Sequence, residues 1–124
     1  MKSYTDLEQS KKLAEILPIE SADNVIVSFG NRDGVKTVVM PKETFDTIKT
    51  PFSDIRNTIP CWSLSALLGV LPFPQLSKDK LGSGKEGWMV SVYPDNCRYD
   101  SCWHDNPVDA CYEMILKLHK LKLM

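Results

Sequence analysis

The C-terminal end of the chain carries the pattern that most constrains the fold, because it predicts a well-capped amphipathic helix. Asn106 is a favourable N-cap, Pro107 suits the first helical position, and Asp109 complements the positive end of the helix dipole. One face of this helix is apolar and is formed by Val108, Cys111, Tyr112, Met114, Ile115, Leu118 and Leu121. The opposite face is polar and is formed by Asp109, Glu113, Lys117 and Lys120. Burial of the apolar face drives docking of this helix onto a second layer of structure.

Length and charge indicate one globular domain without a strong electrostatic field. A chain of 124 residues fits a single domain over residues 1–124, and 43% hydrophobic with 25% charged residues is typical of globular proteins. The 15 basic and 16 acidic side chains leave a net charge of -1, which offers no global attraction to polyphosphate or anionic lipid. Nucleic-acid binding would therefore need a local basic patch.

The first part of the chain predicts a helix followed by a β-hairpin. Thr5 and Glu8 have capping-box spacing, and the helix should end before Pro18. Residues 25–29 and 35–40 are rich in β-branched side chains and flank a turn-forming stretch at residues 30–34.

The middle of the chain is less regular. Residues 41–57 are expected to be irregular or briefly helical. Ser63 is a credible N-cap for a short leucine helix that ends at Pro72, with apolar positions at Leu64, Leu67, Leu68 and Leu71. Residues 73–87 have the composition of an exposed, mobile loop.

A second hairpin completes the predicted fold. Residues 88–93 alternate as a half-buried strand, and residues 98–104 can return beside them after a turn. The element order predicts an α+β domain with an antiparallel sheet of about four strands, formed by the two hairpins. The N-terminal, central and C-terminal helices should pack on one face of this sheet.

A metal site is the first chemical hypothesis for this chain. Cys97, Cys102, His104 and Cys111 supply thiolate and imidazole groups of the kind that zinc binds, but their spacing is not a recognised zinc pattern. Each of them also fits an ordinary place in a strand, turn or helix, so we expect no metal and no cofactor.

A cysteine nucleophile is the second chemical hypothesis. Cys61 or Cys102 could act as the thiolate, with His104 or His119 as the base. No glycine-rich oxyanion segment accompanies either thiol, so we expect no catalytic residue and, more generally, no enzyme.

Two further sequence patterns, a glycine-rich stretch and a group of lysines, do not support a binding site for phosphate or nucleic acid. The glycines near Lys85 do not form a phosphate-binding loop, because Asp79 replaces the required first glycine and Glu86 replaces the magnesium-binding hydroxyl. The lysines at the end of the last helix, Lys117, Lys120 and Lys122, are also what the negative end of a helix dipole attracts. A nucleic-acid partner is therefore not favoured, and the sequence leaves open whether the protein binds a small-molecule ligand.

Protein contacts remain as the expected mode of action. Trp103 beside His104 is the preferred candidate for a partner-binding patch, and Trp88 is a further candidate. A sheet face or edge left uncovered by helices favours association, so we expect a small homodimer or a partner-binding module.

Residues 1–17 alternate charged and apolar side chains, which predicts neither a secretion signal nor a membrane span. We expect a cytoplasmic protein without a membrane partner, and its four cysteines should be free thiols in that compartment. In an exported protein, a disulfide between Cys97 and Cys102 would become an option.

Three blocks of the sequence carry a resemblance. They are residues 13–23, residues 59–68, where a Pro-Cys-Trp-Ser-Leu run precedes the leucine helix, and residues 106–118. Together they resemble small uncharacterised proteins of gut anaerobic bacteria and of their prophages or conjugative elements. The resemblance implies an α+β domain and a mobile-element setting, and it carries no activity or site residue across.

The hypothesis that follows is a non-enzymatic accessory protein of a mobile genetic element that acts through protein contacts. The alternatives are a metal-binding or thiol enzyme centred on Cys102 and His104, and a nucleic-acid modulator.

Overall fold

The structure is a computed structural model that describes residues 2–31, 34–48, 55–80, 82 and 84–124. The chain divides into two compact units, one formed by Asp6–Ser63 and the other by Met1–Thr5 together with Leu64–Met124. Both units mix helices with antiparallel strands, so the α+β class is confirmed. The expectation of a single domain over residues 1–124 stays a prediction.

The unit Asp6–Ser63 contains two helices, a short 3-10 helix and three strands among its described residues. In chain order they are α1 (Leu7–Ala14), the 3-10 helix (Ile19–Ser21), β1 (Asn24–Asn31), β2 (Gly34–Pro41), α2 (Lys42–Ile48) and β3 (Ile55–Cys61). The other unit contains α3 (Leu64–Val70), β4 (Gln75–Lys80), β5 (Glu86–Val92), β6 (Tyr99–Asp100) and α4 (Pro107–Lys120).

The expected four-stranded sheet is wrong in its number of strands and sheets. The described strands form two antiparallel three-stranded sheets, with the orders β2-β1-β3 and β4-β5-β6. Both predicted hairpins are present, as β1 with β2 and β5 with β6, and each gains one further strand. Residues 32 and 33 of the first turn lie outside the described residues.

The two additional strands arise in segments whose local sequence favours other structures. β3 contains Pro60, and a proline normally interrupts a strand because it has no N–H. Pro60 lies opposite Val25 at a sheet edge, where the missing N–H removes no hydrogen bond between strands. β4 lies within the segment expected to be a mobile loop, and Lys78, Asp79 and Lys80 are exposed on it. Pairing with β1 and β5 is what makes these segments strands.

The helical parts of the first unit follow the sequence with small shifts. The capping box of α1 uses Asp6 and Gln9, one residue later than the expected pair, because the Asp6 carboxylate accepts the Gln9 N–H at 2.8 Å. The briefly helical segment is present as α2.

The core of the first unit is closed by a fully buried tryptophan. Trp62 is 0% exposed, and its indole Nε1 donates to the Ser21 hydroxyl at 3.0 Å, which satisfies its one polar atom. Ile26, Ile59 and Cys61 form a buried cluster on the sheet. Cys61 is therefore a core residue, beside the tryptophan in sequence.

The C-terminal helix is confirmed in its start, its cap and its buried face. The Asn106 Oδ1 accepts the Asp109 N–H at 2.9 Å, and Pro107 occupies the first helical turn. α4 packs against β5 and α3, and its buried side chains are Pro107, Val108, Ala110, Cys111, Met114, Ile115 and Leu118. Burial of these side chains against Val90 and Val92 forms the core of this unit.

None of the described helices combines the length and the apolar character that crossing a membrane requires.

Candidate functional site

The candidate site is formed by residues 101–104, which we call the Trp103 segment and which return irregularly along β5. Ser91 on β5 pairs with Asp100, whereas Trp88 pairs with His104, so three steps along β5 are matched by four steps along the returning chain. This is the geometry of a β-bulge with one extra residue. The second hairpin therefore forms as expected, but it contains a β-bulge that the sequence does not predict.

Ser101 stabilises the bulge with its side chain. The Val90 N–H donates to the Ser101 hydroxyl oxygen at 3.0 Å, and the hydroxyl donates to the Cys102 carbonyl at 2.9 Å. Beyond the bulge the ladder resumes, with reciprocal backbone bonds of 2.8 Å between Trp88 and His104. The segment is thus fixed to β5 on both sides of residues 102 and 103.

Helix α4 fixes the segment from another direction through one carboxylate. The Cys102 N–H donates to Glu113 Oε2 at 2.9 Å, and His104 Nε2 lies 3.0 Å from Glu113 Oε1. The side chains of His104 and Glu113 are 28% and 33% exposed, so solvent screens this contact only in part. The Asn106 cap and the buried face of α4 hold Glu113 at the right turn of the helix.

The ionisation of this cluster works against thiol chemistry. Burial alone would raise the pKa of Glu113, but hydrogen bonds from the Cys102 amide, His104 and the Cys102 thiol outweigh it and lower that pKa. The same carboxylate, by hydrogen bonding and by its charge, raises the pKa of the Cys102 thiol. A thiol beside a carboxylate is a weaker nucleophile at neutral pH than an isolated one.

The structure brings only two of the four candidate metal ligands close to a common side chain. Cys102 and His104 meet at Glu113, Cys97 is exposed in the turn before β6, and Cys111 is buried in α4. Burial raises the pKa of Cys111 to about 12, so its thiol stays protonated at neutral pH. In the described parts of the chain, no group of three or more His, Cys, Asp or Glu side chains is arranged to hold a metal ion.

The remaining members of the nucleophile hypothesis are also dispersed. Cys61 is buried in the core of the first unit, and His119 is exposed on the last turn of α4. Cys102 has Glu113 as its hydrogen-bond partner, a carboxylate and not an imidazole base. Within the described part of the chain, the Cys102 thiol faces the Glu113 carboxylate, whereas nucleophilic catalysis by cysteine uses a base such as imidazole at that place.

The partner-binding candidates differ in accessibility. Trp103 is 40% exposed, whereas Trp88 and His104 are half-buried. The Trp88 ring is covered by a lysine, since Lys78 Nζ lies 5.1 Å from the ring centroid and also pairs with Glu86 at 3.1 Å. Trp103 is therefore the candidate that offers the most surface to a partner.

The lysines considered for nucleic-acid binding include one that is engaged within the protein. Lys117 Nζ donates to the Asp100 carbonyl at 3.1 Å, which ties α4 to β6. Lys120 and Lys122 are exposed.

The first unit contains a small groove, lined by Ile19, Val25, Lys42, Thr58, Ile59 and Pro60, with a volume of about 210 Å³. Its one cationic group, Lys42 Nζ, already donates to the Ile19 carbonyl at 2.8 Å. The groove is smaller than typical ligand pockets, which start at about 300 Å³.

Glu113 is the site residue that sequence reasoning missed. Its position predicts an ordinary solvated residue on the polar face of the last helix, which it shares with Asp109, Lys117 and Lys120. The only available signal is that a carboxylate lies two turns into a helix that follows a Cys-Trp-His run, and that spacing is not specific.

Comparisons with protein-family models, with curated proteins and with solved structures found no match for this chain.

Proposed function

We propose that this protein is a non-enzymatic interaction protein that binds a protein partner through the Trp103 segment. The observation that carries the proposal is a tryptophan with 40% exposure, whose neighbours in the chain are hydrogen-bonded to β5 and to Glu113 of α4. Tryptophan is the side chain most often found at the energetic centre of protein interfaces, because it buries a large area with few rotatable bonds.

The rigidity of the segment supports this role. Ser101 is bonded to β5, the Cys102 N–H is bonded to Glu113, and His104 is paired with Trp88. Binding therefore orders little additional backbone, and the entropy lost on association is correspondingly small.

The chemistry of the neighbouring groups also supports binding over catalysis. The Glu113 carboxylate is occupied by two residues of the segment, and the Cys102 thiol has a raised pKa. These contacts hold the segment in place, and they leave no activated nucleophile beside Trp103.

The proposal extends to the setting of the protein. The resemblance to proteins of mobile elements is the reason to propose an accessory role in such an element. A cytoplasmic location is consistent with the free thiols of Cys97 and Cys102, both exposed, because exposed thiols persist in reducing compartments.

The test is capture of a partner from a native extract of the source cells, followed by affinity measurement with the identified partner. Trp103→Ala should weaken binding by about thirtyfold, the effect of losing a hot-spot side chain worth about 2 kcal/mol. Tyr4→Ala is the matched control, because Tyr4 is also 40% exposed, and it should bind as the natural protein does.

Circular dichroism must first show that both variants are folded. Equal binding by Trp103→Ala and the natural protein, or failure of the natural protein to retain any partner, contradicts the proposal.

A further inference from the structure

The small groove of the first unit combines an apolar lining with a cationic side chain. Its volume is about 210 Å³, and its lining residues are Ile19, Val25, Lys42, Thr58, Ile59 and Pro60, all within the unit Asp6–Ser63. An apolar cavity of about 150 Å³ holds one molecule of benzene, so this volume accepts a ligand of about eight non-hydrogen atoms. The groove is therefore suited to a small ligand, below the size of a typical drug molecule.

The floor of the groove is formed by one face of the first sheet. Val25 on β1 lies directly opposite Pro60 on β3, and Thr58 lies two residues before Pro60, on the same face. Val25 is 9% exposed, whereas Ile19 in the 3-10 helix is 60% exposed. A ligand on this floor therefore covers apolar surface that is otherwise in contact with water, which favours binding.

Lys42 and Pro60 lie on opposite sides of β1. The Lys42 N–H donates to the Asp23 carbonyl at 3.2 Å, one residue beyond the pair of Asn24 and Pro41, so Lys42 continues the line of β2. Two interstrand spacings of about 4.8 Å separate the β2 side of the groove from the β3 side. The cationic residue therefore marks one end of the groove, and the proline marks the other.

The Lys42 ammonium group is held in place without being neutralised. Its Nζ donates to the Ile19 carbonyl at 2.8 Å, which uses one of the three donors of the ammonium group. The Asp23 carboxylate is engaged by the N–H and the hydroxyl of Ser63. Among the described residues, no carboxylate forms an ion pair with Lys42. The lysine therefore retains a positive charge and hydrogen-bond donors for an anion.

We propose that this groove binds a small carboxylate with a branched apolar chain, which is either a free acid or the C-terminal residue of a peptide. The carboxylate pairs with Lys42, and the apolar chain lies across Val25 between Ile19 and Pro60. Because Nζ is already held by the Ile19 carbonyl, little side-chain freedom is lost on binding. The inference goes beyond the proposed function and does not depend on the role of Trp103.

The lining favours a carboxylate over a phosphate or a neutral ligand. A phosphate group carries more charge and three or more acceptor oxygens, and its sites use several converging donors. The side chains of this groove supply one cation, on Lys42, and one hydroxyl, on Thr58. A neutral apolar ligand would displace water from the lysine without replacing its hydrogen bonds, which is unfavourable.

NMR titration of the full chain tests the proposal, with 4-methylpentanoate as the probe, since this acid has the size that the groove accepts. A ligand of this size is expected to bind with a Kd on the order of 1 mM, so the titration extends to about 20 mM. The amide signals of Ile19, Val25 and Thr58 should shift and saturate. Sodium acetate, which has the charge without the apolar chain, should give no saturating shift over the same range.

4-Methylpentanamide is the matched control ligand, because it has the same shape without the charge. It should bind to the natural protein about tenfold more weakly than the acid at neutral pH. Equal affinity for the acid and the amide overturns the proposal, and so does the absence of a saturating shift with the acid. This comparison needs no variant, so it decides the matter even if a substitution impairs folding.

Lys42→Met keeps an unbranched apolar side chain and removes the charge. The variant should bind the acid about tenfold more weakly than the natural protein and bind the amide equally well. Lys11→Met is the matched control, because Lys11 is an exposed lysine on α1 of the same unit, and it should bind both ligands as the natural protein does. A folded Lys42→Met variant that binds the acid with unchanged affinity overturns the proposal.

A tripeptide that ends in leucine distinguishes the two sources of the carboxylate. It is titrated with a free C-terminus and with an amidated one. Tighter binding of the free peptide than of 4-methylpentanoate, lost on amidation, supports the proposal with a peptide C-terminus as the ligand. Weaker binding of both peptides, with the preference for acid over amide retained, supports it with a free acid as the ligand. Equal binding of the free and amidated peptides at the groove overturns it.

Discussion

Replacing Glu113 by glutamine is the sharpest test of how the Trp103 segment is held. The carboxylate accepts the Cys102 N–H at 2.9 Å and lies 3.0 Å from His104 Nε2. Hydrogen bonds to charged groups stabilise by about 1.5 to 3 kcal/mol, and an amide oxygen can still accept one of the two bonds. Because Glu113 is 33% exposed, solvent reduces the loss further, and we expect Glu113→Gln to cost about 1 kcal/mol at neutral pH.

The pH dependence of this cost follows from the lowered pKa of Glu113. The ordinary value is 4.5, and the folded protein holds the carboxylate ionised to lower pH than that. The stabilisation is therefore fully present above pH 4.5 and disappears as pH falls through the lowered pKa of the folded state. Below that point the natural side chain is neutral like glutamine, and the two proteins should be equally stable.

Urea unfolding of the natural protein and Glu113→Gln, at neutral pH and in acid, measures the effect. Glu20→Gln is the control, since Glu20 is an exposed carboxylate in the 3-10 helix, and its variant should unfold at the same urea concentration as the natural protein. Equal unfolding midpoints for Glu113→Gln and the natural protein at neutral pH would refute the reasoning. A difference that persists unchanged in acid would refute the assignment to the ionised carboxylate.

Two further predictions concern the cap of α4 and the exposed thiol. Asn106→Ala should cost about 1 kcal/mol in the free energy of unfolding, because the Asp109 N–H loses its acceptor. Asn106→Ser, which keeps an acceptor oxygen, should recover most of that loss, and no recovery would contradict the capping role. The alkylation rate of Cys102, followed by mass spectrometry of its peptide, should reach half of its maximum above the ordinary pKa of 9.0. Glu113→Gln should bring that midpoint down, and an unchanged midpoint would contradict the influence of the carboxylate.

The parts of the fold that were predictable from sequence are those whose signals lie within a few residues. The start of α4 is specified within its first turn, by the side-chain cap of Asn106, the proline at position 107 and the negative charge of Asp109. The first hairpin is specified in the same local way by two β-branched runs around a turn.

The third strand of each sheet could not be predicted, because its structure is determined by a partner elsewhere in the chain. The sequence of β4 is half charged, and it is a strand because β5 offers it a free edge. The end of β3 contains Pro60, which is tolerated because its nitrogen faces away from β1. The free edge of β5 and the outward nitrogen of Pro60 become apparent only once the strand pairing is known.

Only the part of the candidate site that is consecutive in sequence could be predicted. Cys102, Trp103 and His104 attract attention by their chemistry, and they lie together because they are consecutive in sequence. Glu113, which organises them, is nine residues from His104, and only the return of the chain along β5 brings it into reach. The bulge that prepares this contact depends on the Ser101 side chain, one of many serines in the chain.

The extra residue between Asp100 and His104 decides which aromatic group this surface offers to the outside. Counted back from the pair of Ser91 and Asp100, an uninterrupted ladder would set residue 103, not residue 104, across from Trp88. Loss of one amino acid between Asp100 and Trp103 would remove the bulge, and a regular ladder would then keep His104 across from Trp88 and set Trp103 opposite Met89. The length of the chain at this point is therefore as much a determinant of recognition as the identity of its side chains.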